Sequence, residues 1–323
     1  MSHIPNTAPA AVLARHPSRR PVPTDRRRWL QLALAALWVF DGLLQYQTYM
    51  FSKDFSASFL AGTADGNPGW VASSIRWAAK VVGGSPVLFN AGFATLQLGI
   101  GLAIAFRPTL RVGLGVSIVW SLGVWWFGEG LGKLLTGDAS ALAGAPGAVL
   151  LYAVLALLLW PTQKDTSQSF VAAQPIGTLA AKTVWVVLWG GLAALNLQPS
   201  QLSADSVSST ISGMGDGQPG WVSFLINTFA ETSAHKGAAL SVLGAATLAL
   251  VAAGIFLPRR WARTFIVAAV VAAALIWVIG EALGAPFGGQ GTDVNSGPLL
   301  ALIALAYWPT PTRAVIARAG VSA

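Results

Sequence analysis

The sequence predicts an all-α integral membrane protein: eight transmembrane helices in two parallel four-helix repeats, each repeat with an outer interfacial helix. Three observations carry that expectation. Of 323 residues, 54% are hydrophobic and only 10% are charged, whereas a soluble domain carries about 25% charge. Eight apolar stretches are separated by loops that alternate between arginine-rich and arginine-poor. A set of motifs also recurs in the same order at a nearly constant spacing.

The composition excludes several chemistries at once. With no cysteine in the chain, disulfides, iron–sulfur clusters, thiolate zinc and cysteine nucleophiles are ruled out. The three histidines, His3, His16 and His235, fall in the N-terminal tail or a loop, so no bis-histidine haem is expected in the bilayer. No cofactor and no metal site is expected from the residues.

Residues 1–28 are polar, with five prolines and six arginines; such a stretch cannot bury enough apolar surface to fold and reads as a disordered basic tail. The run from Trp29 to about Met50 follows it. It exceeds the roughly 7–15 apolar residues of a signal peptide and is expected to be the first transmembrane helix. Seven further stretches follow at roughly 86–106, 110–128, 145–160, 180–198, 238–257, 262–283 and 297–308. With both termini inside, 15 of the 20 Lys and Arg fall in inner segments and 5 in outer ones, while nine of the twelve acids fall outside. That is the positive-inside pattern. It places the chain in a bacterial plasma membrane with cytoplasmic termini, and it reads the net charge of +8 as topology rather than as nucleic-acid binding.

The repeat is read from four blocks. Asp65-Gly-Asn-Pro-Gly-Trp-Val71 recurs as Asp216-Gly-Gln-Pro-Gly-Trp-Val222, an offset of 151 that also maps Trp38 onto Trp189, Gln45 onto Asn196 and Gln47 onto Gln198. Trp125 to Gly132 matches Trp277 to Gly284 at 152, and Leu159-Trp-Pro-Thr162 matches Tyr307-Trp-Pro-Thr310 at 148. The expected organisation is a first repeat over 29–161, a polar cytoplasmic linker over 162–178, a second repeat over 179–310 and a cytoplasmic tail over 311–323. Four helices per copy is an even number, so both copies enter from one side, related by a pseudo-two-fold axis along the membrane normal.

Each copy carries an outer segment between its first two helices. Pro68 is suited to a helix start, and Val71, Ile75, Ala78 and Val82 then share one face against Ser73, Arg76 and Lys80. Trp70 and Trp77 would anchor this helix at headgroup level. Pro219 and Trp221 open the second copy, with Val222, Ile226 and Phe229 on the apolar face. Such helices either cap the bundle or gate a central site.

The fourth helix of each copy is short, and each follows a Gly-rich stretch, Gly128 to Gly147 and Gly280 to Gly297. Short, glycine-interrupted segments at matching places are a sequence pointer to a membrane binding site, because their backbone must line a cavity or be buried in protein. Glu129 and Glu281 open the two stretches, beside Trp125 and Trp277, and could hold a cation or relay a proton, or simply reach outer water. Asp41 lies within the first helix opposite Leu192 in the repeat; an ionisable group there is a functional candidate or a structural hydrogen-bonding group. Gln45 and Gln47 extend a polar patch beside it. Glu231 and His235 stand at i and i+4, but no third ligand accompanies them. Neither a rhomboid-type nor an HExxH protease signature is present.

Asp41-Gly42, the Pro-Gly-Trp turn, Trp-Phe-Gly-Glu-Gly-Leu-Gly and the closing Trp-Pro-Thr together resemble an uncharacterised polytopic membrane family of high-GC actinobacteria, over about residues 29 to 310. At four helices per unit the chain is also similar to DoxX/DoxD-type membrane proteins. That resemblance implies a small membrane subunit linked to quinone or thiol redox systems, and it transfers no functional residues. The leading expectation is a non-catalytic accessory subunit of a cell-envelope or redox-linked system, with the lipid bilayer and an envelope protein as partners. The alternative is a permease for a small ligand or ion using Asp41, Glu129 and Glu281 between the repeats. An enzyme acting on lipid or quinone would need the same carboxylates as acid and base.

Overall fold

A computed structural model describes residues 25–162 and 169–310. The tail expectations over 1–24 and 311–323, and residues 163–168 of the expected linker, lie outside the described residues. The described chain is helical, with no strand among the described residues.

The first half contains α1 (Arg26–Leu44), α2 (Gly69–Gly84), α3 (Pro86–Ala105), α4 (Leu110–Phe127) and α5 (Ala148–Leu158). A short α6 (Ala173–Ile176) leads into α7 (Thr178–Leu195), α8 (Ser206–Ile211), α9 (Gly220–Ser233), α10 (Gly237–Gly254), α11 (Arg259–Leu275) and α12 (Ser296–Ala306). Within the first half α1 packs on α3, α3 on α4 and α4 on α5; in the second, α7 packs on α10, α10 on α11 and α11 on α12. The halves meet where α12 packs against both α5 and α1.

Five helical segments are long and apolar enough to cross a membrane: Pro86–Ala105, Arg107–Phe127, Thr178–Leu195, Gly237–Gly254 and Arg259–Gly280. Their outward side chains, such as Leu88, Val119, Leu179 and Val187, are exposed, as lipid-facing residues are. The other three expected spans stand apart. α1 opens on Arg26, Arg27 and Arg28 and carries Asp41. α5 and α12 have 11 residues each, about 16 Å at 1.5 Å per residue, against a hydrocarbon core of about 30 Å.

α1 stops at Leu44 rather than near Met50. Asn90 donates its side-chain amide to the carbonyl of Gln45 at 2.6 Å, so one carbonyl left free by the helix end is satisfied from α3 instead of by a further turn. The chain then runs through a 3-10 turn, Thr48–Phe51, and a π-helical turn, Phe55–Leu60. The close fit of α1 on α3 depends on glycine: a Cβ on Gly42 would sit 2.9 Å from the backbone nitrogen of Leu98, and one on Gly101 would sit 2.8 Å from the carbonyl of Ala35. Small residues at such crossings let membrane helices approach.

One apolar core runs through both halves, with Trp38, Tyr152, Trp185, Trp189 and Tyr307 at its centre. Most of its polar groups find partners inside the protein, as they must away from water. Trp38 Nε1 donates to Ser117 Oγ at 3.0 Å, Gln31 donates to the Leu159 carbonyl at 2.8 Å and Tyr307 donates to the Ala181 carbonyl at 2.5 Å. The expected polar linker is only partly that: Phe170, Val171, Ala172 and Ala173 are buried in the core, and the Ala172 amide donates to the Ala306 carbonyl at 3.0 Å. The apolar run Phe-Val-Ala-Ala gains more from this burial than from solvation.

At one end of the bundle Arg28 donates to the carbonyls of Ile104 and Ala105 at the C-terminus of α3, and Arg26 and Arg259 both donate to the Pro309 carbonyl at 3.4 Å. Cations at helix C-termini are favoured by the helix dipole. Helices α2 and α9 form over the two segments expected to be interfacial, with two differences on their faces. Ala79 rather than Ala78 is buried on α2, and Phe229 on α9 is exposed, leaving Val222 and Ile226 to make the buried contact.

Candidate functional site

The end of the bundle opposite those arginines collects the polar residues. Asp41 lies about 20 Å along α1 from Arg28 at the α-helical rise and is buried. Its Oδ1 accepts the Val294 backbone amide at 3.1 Å, and its Oδ2 accepts the Tyr152 hydroxyl of α5. One carboxylate therefore joins α1, α5 and the Gly-rich segment of the other half. At the places the repeat assigns to this pair stand Leu192 and Leu300, both in the apolar core.

Glu129 and Glu281 do not reach outer water. Each turns back to the N-terminus of the short helix that follows its Gly-rich stretch. Glu281 is buried, and it accepts the amides of Ser296 and Gly297, both at 3.0 Å, and the Ser296 hydroxyl. Glu129 Oε1 accepts the Val149 amide at 3.2 Å. A carboxylate suits a helix N-terminus, where free N–H groups and the positive end of the dipole converge. The neighbouring tryptophans act alike: Trp125 donates to the Pro146 carbonyl at 2.7 Å, and Trp277 to the Val294 carbonyl at 2.9 Å. Gly147 is needed here, because its φ is +103° and a Cβ would lie 2.2 Å from Glu129 Oε2.

The two Gly-rich segments are held across the molecule. Gln45 donates to the Thr292 carbonyl at 3.2 Å and Gln47 to the Gly291 carbonyl at 3.1 Å. In the opposite sense Gln198 donates to the Ala139 carbonyl at 3.1 Å, Gln201 to the Asp138 carbonyl at 3.1 Å and Ser200 to the Gly137 carbonyl at 2.7 Å.

Between these groups and the outer helix α2 lies a cavity of about 740 Å³, within the range of about 300–1,000 Å³ typical of small-molecule sites. One wall is aromatic and aliphatic, with Phe55 and Phe59 of the π-helical turn, Trp77, Phe89, Phe93 and Trp120. Its other end holds Asp41, Gln45, Gln97 and Glu129, closed by Thr292, Asp293 and Asn295 from the second half. Phe59, Trp77, Val81 and Phe127 line it and are exposed, so it reaches the surface beside these residues. Asp65, Lys133 and Asp138 also line it; Lys133 donates to the Asp65 carbonyl at 3.2 Å, and the Asp65 carboxylate pairs with Arg76 at 3.5 Å.

Several polar atoms at this site have no partner. Gln45 Oε1, Gln97 Oε1, Trp120 Nε1 and Glu129 Oε2 are buried and unbonded, on four residues that line the cavity. A buried polar atom left unpaired costs about 1–3 kcal/mol, so these four are groups that a bound molecule would satisfy.

Of the expected site residues, the structure brings Asp41, Gln45, Glu129 and Asp65 to the cavity. Glu281, Trp125 and Trp277 hold the short helices instead. Pro68 and Pro219 cap α2 and α9, Trp70 packs on Trp126 with ring centroids 5.5 Å apart, and Trp221 and Asp216 are exposed. Gln97, Trp120 and Asp293 escaped the sequence reading. An amide within the apolar run of α3 was a usable signal for Gln97; Asp293 sat unremarked inside a Gly-rich segment already singled out. No protein family, no curated protein and no solved structure matches the chain.

Proposed function

We propose that this protein binds an amphipathic small molecule within the membrane and acts as a permease or carrier for it, with its site in the cavity of the first half. The observation that carries the reading is the set of unpartnered buried polar atoms, on Gln45, Gln97, Trp120 and Glu129, around a chamber whose lining is mostly apolar surface. A packed structural seam would satisfy or omit such groups. The exposed aromatic and aliphatic side chains at its mouth, Phe59, Trp77, Val81 and Phe127, suit a molecule with an apolar body.

The accompanying architecture is eight spans in two parallel four-helix repeats, with the short α5 and α12 back to back at the centre and both termini in the cytoplasm of a bacterial cell. Matching helix contacts in the two halves and the crossed Gln47–Gly291 and Gln198–Ala139 bonds support it. In this arrangement the second half supplies Thr292–Asn295 as a wall, and its own counterpart of the Asp41–Tyr152 pair is apolar.

Purification in nanodiscs followed by native mass spectrometry tests the reading. Gly123 lines the cavity and has open space where a Cβ would stand, so Gly123→Phe adds bulk at the chamber wall with no clash at the Cβ. A bound small molecule on the wild type, absent from Gly123→Phe, is the expected result; equal occupancy of both would remove the cavity from consideration.

A second reading, a non-catalytic DoxX-like accessory subunit, is favoured by Trp70 and Trp221, each 59% exposed at equivalent places on the outer helices. They could serve as anchors for an envelope partner. A stoichiometric polypeptide co-purifying with the wild type and lost from a Trp70→Ala/Trp221→Ala variant would favour it.

A further inference from the structure

We propose that the ligand of this cavity is an amphipathic amine, its apolar body against the aromatic wall and its protonated nitrogen among the acceptors at the polar end. The inference rests on the ligand-binding reading above and goes further by assigning the chemical class.

The first ground is the polarity of what is missing. Three of the four unpartnered lining atoms, Gln45 Oε1, Gln97 Oε1 and Glu129 Oε2, are acceptors. For Gln45 the amide nitrogen is already committed to Thr292, which leaves its oxygen as the free end. A complement to these atoms must bring hydrogen-bond donors, and an ammonium group brings up to three and accepts none.

The second ground is charge. Asp41, Glu129 and Asp293 line the chamber, and among the described residues none of them forms an ion pair; the salt bridges join Arg76 to Asp65 and His235 to Asp205. Lys133 is the one basic side chain on the lining, and its ammonium is directed to the Asp65 carbonyl. Three carboxyl groups that face one chamber without an ion-pair partner accept a cation more readily than an anion. The third ground is the rings: Trp77, Trp120 and Phe93 line the same chamber, and aromatic faces attract organic cations as well as alkyl chains.

The test uses the full chain in nanodiscs and three probes of equal chain length: dodecylamine, dodecanol and dodecanoate. Binding is read by tryptophan fluorescence and native mass spectrometry, with Gly123→Phe as the reference for partition into lipid. Dodecylamine should bind at least about tenfold tighter than dodecanol, a difference of about 1.4 kcal/mol, and dodecanoate should bind least. Glu129→Gln and Gln97→Leu should each lower the affinity for dodecylamine by a larger factor than that for dodecanol, with circular dichroism of each variant to certify that it is folded. Binding of dodecanol or dodecanoate as tight as that of the amine, and blocked by Gly123→Phe, would overturn the amine assignment and leave the cavity reading standing. Failure of all three probes to distinguish wild type from Gly123→Phe would overturn both.

Discussion

Gln47 and Gln198 make the same hydrogen bond in opposite directions across the molecule: Gln47 donates to the Gly291 carbonyl and Gln198 to the Ala139 carbonyl, each at 3.1 Å. Donor and acceptor are displaced by 151 and 152 residues respectively, so each half's post-helix glutamine grips the other half's Gly-rich segment. The two contacts exchange when the halves are exchanged, as the proposed two-fold arrangement requires. Replacing either glutamine by leucine leaves a carbonyl unpaired, with an expected loss of about 1 kcal/mol each. Thermal unfolding of the two single variants should show lowered midpoints of similar size. Indifference to both changes would mean that the grip is incidental.

Asp41 and Tyr152 form a unit, because the positions matched to them are both leucine. Asp41→Leu alone strands the Tyr152 hydroxyl and the Val294 amide, an expected loss of about 2–5 kcal/mol from two orphaned groups. Asp41→Leu with Tyr152→Leu removes one orphan and leaves leucine at both places, as Leu192 and Leu300 stand in the apolar core of the second half. The double variant should therefore unfold at a higher temperature than the single one while still failing to retain ligand. A double variant less stable than the single one would break the argument.

Glu281 and Glu129 should differ in stability effect despite their matched places. Glu281 accepts three hydrogen bonds around the start of α12, whereas Glu129 keeps one oxygen free of partners. Glu281→Gln should lower stability by about 1–3 kcal/mol, with a smaller change for Glu129→Gln. Expression level and unfolding midpoint, measured side by side, decide it.

The absence of native cysteine makes topology directly measurable. A single cysteine at Ser73, exposed on α2, should react with a membrane-impermeant maleimide on intact cells. One at Arg111, exposed near the start of α4, should react only after permeabilisation. The reverse pattern would invert the proposed orientation.

Composition and periodicity were enough to determine that the described chain is helical, that several helices are apolar enough to span a bilayer, and that two fourth helices are short. These properties are local: they follow from the density of apolar residues and from where glycine and proline interrupt it. The sequence also singled out Asp41 and Gln45, because an acid or amide in an apolar run stands out against its neighbours. Only the tertiary structure decided what these groups do. In the sequence Glu129 and Glu281 are a matched pair that either holds a cation or proton or reaches outer water; in the structure each turns onto a helix N-terminus formed by residues 15 to 20 positions later. The cavity itself is assembled from α1, α2, α3, α4 and a segment of the other half. Its volume and its unpaired acceptors depend on distances between residues such as Gln45 and Thr292, 247 positions apart. No one-dimensional pattern encodes those separations, since they are set by how closely Gly42 and Gly101 let α1 and α3 approach and by how the two halves lock together.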